Sequence, residues 1–172
     1  MPDHRSIAAA GETIRYLIEE KLGEIYHGAN QVAVTMASPK KIEEEGLTET
    51  RRLSIYLYKI VENADLKNRL PSIQNLKKRK RTPIAIDMHL IMTPYGVNDI
   101  DKLQIFGLAM QILHDHSILQ GSMLESGTSG VATLTLKGSL EQMRISMKQP
   151  TQEEITQIWQ ALDVSMRLCA FY

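Results

Sequence analysis

His114, Asp115 and His116 set two imidazoles around a carboxylate in three consecutive residues, a group able to ligate a divalent metal or pass a proton. Residues two apart on a helix diverge by about 200°, so the two rings share a metal only where the helix has ended. Further ligands at metal spacing are missing, and histidines closing a helix are favoured by its dipole, which is the preferred reading. Asp87 and His89 share one face of a strand, as an acid and a base must, yet no serine or cysteine sits in a nucleophile motif. A polar layer bonded to a covering loop or a neighbouring subunit accounts for them better. The run Ser126-Gly127-Thr128-Ser129-Gly130 lacks the lysine and the strand-before-helix setting of a phosphate loop and reads as a flexible loop. Cys169, the single cysteine, excludes an internal disulfide framework and a multi-cysteine zinc site and is expected to be a small buried apolar side chain.

The strongest charge cluster is Lys77-Lys78-Arg79-Lys80-Arg81. Such a run could meet nucleic acid or an acidic protein surface. No aromatic residue interleaves with it, so a base-stacking platform is not supported. A solvated loop and a protein contact both rank ahead of nucleic acid. No catalytic, cofactor-binding or metal-binding residue is assigned.

The elements that would position these groups follow from periodicity. Ile84, Ile86, Met88, Leu90 and Met92 alternate with Ala85, Asp87, His89, Ile91 and Thr93, the period of a half-buried strand at the centre of a sheet. Thr93-Pro94-Tyr95-Gly96 is read as its end, and Asn98 as the cap of a helix over 99–115 with Ile100, Leu103, Phe106, Met110 and Leu113 inward. Upstream, a first helix ends near Gly23, with Ile7, Ile14, Leu17, Ile18, Leu22 and Ile25 as its stripe. A short strand is expected over 32–36, an exposed mobile loop over 40–50, and a second strand in which Leu53, Ile55 and Leu57 alternate with Ser54, Tyr56 and Tyr58. Long connections are expected over 65–83 and 117–130, and strands over 131–136 and 143–147. Thr151 and Glu154 form a capping-box pair that starts a last helix with Ile155, Ile158, Trp159 and Leu162 on one face. Asp163 closes it, and Met166, Leu168 and Ala170 alternate to the end.

Composition bounds the rest. The 172 residues suit one domain spanning 1–172. Twenty basic residues balance twenty acidic ones, so net charge points to no polyanion and weakly favours self-association. The charged N-terminal helix is neither a signal peptide nor a membrane span, which implies synthesis in the cytoplasm.

Four segments in order carry a resemblance: Arg52 to Asn68 (RLSIYLYKIVENADLKN), Pro83 to Gly96 (PIAIDMHLIMTPYG), Leu103 to Leu119 (LQIFGLAMQILHDHSIL) and Thr151 to Tyr172. Together they resemble the N-terminal domain of the cap, or tail-terminator, protein of extracellular contractile injection systems of the virulence-cassette and antifeeding-prophage type. The resemblance implies a non-enzymatic structural protein with an α+β fold, a mostly antiparallel mixed sheet packed by about three helices. It implies a homo-oligomeric ring, a hexamer, at the baseplate-distal end of a particle assembled in the bacterial cytoplasm. There it would stop polymerisation and anchor the sheath, with sheath protein and inner tube protein as partners and no small-molecule substrate. Lys77, Lys78, Arg79, Lys80 and Arg81 are then candidate assembly contacts, and the loops 40–50, 65–83 and 117–130 candidate ring and tube contacts. Some relatives are longer, which leaves room for a C-terminal extension. Another connector of the contractile tail is the rival assignment.

Overall fold

The computed structural model describes residues 6–64, 84–120 and 142–172. The first helix, α1 (Ser6–Gly23), turns Ile14, Ile18 and Leu22 into the core. Ile7 and Ile25, the ends of the expected stripe, are exposed. Strand β1 (Ala33–Thr35) follows and runs parallel to β2 (Arg52–Glu62), which is antiparallel to β3 (Ile86–Tyr95). The final strand β6 (Ala170–Phe171) closes the far edge, giving the order β1-β2-β3-β6. A separate pair, β4 (Ile118–Gln120) with β5 (Gln142–Arg144), is antiparallel. The fold is α+β with a mixed, mostly antiparallel sheet.

The parallel β1-to-β2 connection contains a helix where an exposed mobile loop was expected. α2 (Pro39–Glu44) is started by Ser38, whose hydroxyl accepts from the Lys41 amide at 3.3 Å, with Pro39 in the first turn. Ser38-Pro39 reads as the end of a strand, but a serine cap followed by proline is equally a helix start. The decisive residue is Ile42, which is fully buried and so anchors a helix too short to persist alone.

Strand β3 also runs further than its Thr93-Pro94-Tyr95 sequence suggests. Leu90 exchanges both backbone bonds with Tyr172, so even-numbered residues of β3 aim their amides toward β6. That strand pairs with Ile91 and Met92 and ends there. Pro94 therefore lies where no partner amide bond is forfeited.

Alternation across the sheet builds two cores. Leu53, Ile55, Leu90 and Met92 face α1 and α3 (Asp99–Asp115), meeting Ile14, Ile18, Ile105, Ala109 and Ile112. On the other face Ile91, Phe171 and Trp159 pack together with Tyr56 and Tyr58. Trp159 belongs to α4 (Gln152–Leu162), where Ile155, Ile158 and Leu162 pack on the same cluster as expected. The helix starts with the capping box read from sequence: Thr151 accepts from the Glu154 amide at 3.3 Å and the Glu154 carboxylate accepts from the Thr151 amide at 2.9 Å. A cap of this kind contributes about 1 kcal/mol. Asp163 ends α4 in the left-handed region, at φ 55°.

Four further expectations change. α3 has the expected bounds and Asn98 cap, but it is rotated: Ile105, Phe106, Ala109, Ile112 and Leu113 are buried, while Ile100 and Leu103 are exposed. The expected loop over 117–130 begins as strand β4, and the strand expected over 143–147 is displaced to β5. Residues 131–136 lie outside the described part. Near the C-terminus Met166 and Leu168 are exposed, and β6 is confined to two residues.

Candidate assembly surface

The groups with chemical potential are dispersed. Asp87 Oδ1 accepts from Asn63 Nδ2 at 2.9 Å, and the His89 ring tilts against Tyr58 at 6.0 Å. Both stand on the sheet face expected of them, with Lys59 across the ladder from His89. His116 Nδ1 lies 3.0 Å from the Ile112 carbonyl and His116 caps α3, the helix-closing role favoured from sequence. Among the described residues no group of three or more His, Cys, Asp or Glu could hold a metal ion. Cys169 is half-buried, and burial pushes its thiol up, opposed by Trp159, the reverse of what an activated cysteine needs. Among the described residues no helix is long and apolar enough to cross a membrane. The basic run 77–81 and the glycine-serine run 126–130 lie outside the described residues.

His89 carries a pH dependence. Burial pulls its pKa down first, then Lys148 and Lys59, with Asp87 opposing. The neutral ring is thus favoured in the fold, so its contribution is fully present above the ordinary imidazole value and is lost as pH falls from there through the lower folded value. Melting temperature is expected to fall between about pH 7 and pH 5 by more in the wild type than in His89→Gln. Parallel curves for the two proteins would remove His89 as the cause.

Ion pairs bind the second layer together. Lys40 of α2 reaches Asp163 at 3.0 Å and Glu43 reaches Arg167 at 2.7 Å. The Arg167 guanidinium lies 5.7 Å from the Tyr95 ring centroid. Tyr95 is 1% exposed, and burial pushes its phenol up to about 12, against the opposing charge of Arg167. These pairs connect α2 to the segment after α4. An open groove of about 400 Å³ runs between the end of α3 and residues 145–147, lined by Met110, Leu113, Ile145, Met147 and Tyr172, with His114 and Ser117 beside them. Its lining is mostly apolar, with Gln111 and Ser146 as further polar members.

What the surface does carry is exposed aliphatic area. The outer half of the β2–β3 ribbon projects past both neighbouring strands, because β1 pairs only with Arg52–Ser54 and β6 only with Ile91 and Met92. Ile60, Val61, Ile84 and Ile86 are exposed there. Val97, Ile100 and Leu103 are exposed around the start of α3.

The family model described as the Pvc16 N-terminal domain matches residues 9–172. The chain belongs to the Pvc16 N-terminal domain family. A similar solved structure is the cryo-EM structure of the PVC sheath/tube terminator, in the extended state, of an extracellular contractile injection system. It shares 13% identity with this chain at a TM-score of 0.58, over 99% of this chain and 55% of that one. The chain thus spans about half the length of that structure. Among curated proteins none matches. In this Pvc16 N-terminal domain the two exposed aliphatic groups were not found by pattern reading. Ile100 and Leu103 pass for core residues because Asp101, at the head of the true buried face, breaks its apolar stripe.

Proposed function

We propose that this chain is the N-terminal part of a terminator of an extracellular contractile injection system. It occupies the baseplate-distal end as a homo-oligomeric ring, six-fold as in the expectation from sequence, and ends growth of the inner tube and sheath. Its partners are its own copies, the sheath protein and the inner tube protein, and it is made in the bacterial cytoplasm and built into the particle. The observation that carries this reading is the family match over residues 9–172, supported by the fold shared with a sheath/tube terminator. The described surface suits the role: exposed aliphatics, and ion pairs that connect elements.

Electron microscopy of particles purified from cells with and without the gene tests it. Loss is expected to leave tubes or sheaths of uncontrolled length without density at the end opposite the baseplate. Particles of normal length with that end intact would move the protein elsewhere in the machine.

A further inference from the structure

A fully buried isoleucine lies outside both apolar cores. Pro39 and Ile42 of α2 are buried, yet neither belongs to the cluster under α1 and α3 or to the one around Trp159. Their surroundings are set by the sheet face that carries Tyr56 and Ile91 further along. There Arg52 stands across from Tyr95 and Ser54 across from Thr93. The chain entering α2 meets this face at Ser54, whose hydroxyl donates to the Ala37 carbonyl at 2.7 Å. Glu43 of α2 reaches it through Arg167, the cation beside the Tyr95 ring. The face is polar and incompletely satisfied. Thr93 and Tyr95 are 0% and 1% exposed, and Thr93 Oγ1, the Tyr95 hydroxyl and Arg52 Nε have no hydrogen-bond partner among the described residues.

We propose that α2 is a latch, released when its ion pairs are screened or broken, while the sheet and both cores stay folded. Six residues cannot hold a helix on their own, so α2 stays wound only while it is attached. Burial of Ile42 holds it down. Against that, closure keeps three polar groups dry, and opening returns each of them to water. The balance is tipped by Lys40 with Asp163 and by Glu43 with Arg167, whose side chains are 44% and 81%, and 28% and 34%, exposed. Pairs this open weaken as the Debye length shrinks from about 10 Å at 0.1 M salt to about 3 Å at 1 M. The sheet does not depend on α2: β2 pairs with β3 from Arg52 to Glu62, and Leu53, Ile55, Leu90 and Met92 pack with residues of α1 and α3. Opening of α2 is therefore local and takes less free energy than unfolding the whole chain. The latch stands whether or not the chain caps a particle.

Amide hydrogen exchange of the purified chain, resolved by NMR, tests it. The amides of Ile42, Glu45, Gly46 and Leu47 donate to the carbonyls of Ser38, Lys41, Glu43 and Ile42, so they exchange when α2 unwinds. Those of Ile18 in α1 and Leu90 in β3, both in the main core, report on the rest of the fold. Raising sodium chloride from about 0.05 M to about 1 M is expected to speed the α2 amides about fivefold and to leave the core amides unchanged. Arg167→Gln should show the faster α2 rate already at low salt and lose most of the salt response. Lys40→Gln, at a more exposed position, should shift the α2 rates the same way by less. One shared rate for both sets of amides would mean that α2 opens only with the sheet, and would overturn the proposal. So would α2 amides that respond neither to salt nor to Arg167→Gln.

Discussion

Trp159→Ala is expected to cost about 3–5 kcal/mol, the range for truncating a large buried aromatic, and to lower the melting temperature by on the order of 10 °C. The size follows from how α4 is attached. Trp159 is 3% exposed and is the buried residue of that helix, packing with Ile91 and Phe171 at the meeting of β3 and β6. Ile155, Ile158 and Leu162 cover the edges of this cluster without being fully buried. Without the indole, α4 retains its capping box but loses most of what holds it to the sheet, and the cavity would open where the shortest strand pairs. Trp159→Phe keeps a ring in the site and should lose clearly less. Urea denaturation followed by circular dichroism measures both, and a loss below about 1 kcal/mol for the alanine variant would show that α4 contributes little to the cooperative unit.

Much of this arrangement was legible because it is local. The capping box at Thr151 and Glu154, the Asn98 cap and the alternation in β2 each depend on residues within a few positions, and all appear where periodicity put them. The failures share a different cause. Burial of Ile42 depends on elements distant in sequence: Lys40 and Glu43 beside it pair with Asp163 and Arg167 more than a hundred residues away. The continuation of β3 through Pro94 depends on where β6 stops, which no local pattern encodes. The exposure of Ile84 and Ile86 is the inverse case: their alternation is that of a covered strand, and the described part of a single copy provides the cover for only half of it. The candidate contacts Lys77–Arg81 lie outside the described residues. Charge drew attention to Lys77–Arg81, whereas the uncovered aliphatics emerge once the phase of α3 and the reach of its neighbours are known.

Asp101 set that phase, and Asp101→Ala is expected to cost about 2–3 kcal/mol, near the lower end for removing one partner of a buried charge pair. The carboxylate is 7% exposed and accepts from Arg51 Nε at 2.9 Å and from the Val97 amide at 3.4 Å. Its own amide donates to the Asn98 side chain at 2.8 Å. Arg51, 28% exposed, also donates to Asn30 Oδ1; it can recover part of its hydration when the carboxylate is gone, which keeps the cost below that of a sealed pair. Gly96 allows the close fit, since a Cβ there would stand 3.0 Å from Asp101 Oδ2. Asp101→Asn keeps one acceptor oxygen, enough for the shorter bond from Arg51 while its NH2 turns toward the Val97 amide, and should cost less than the alanine, roughly 1 kcal/mol, with Arg51→Met completing a cycle that isolates the ionic part. Because this network pins the first turn of α3, Asp101→Ala should also loosen Val97, Ile100 and Leu103, read as faster amide exchange over 97–104 than in Asp101→Asn. Equal exchange in the two variants would mean that packing of Ile105 and Phe106 alone orients the helix.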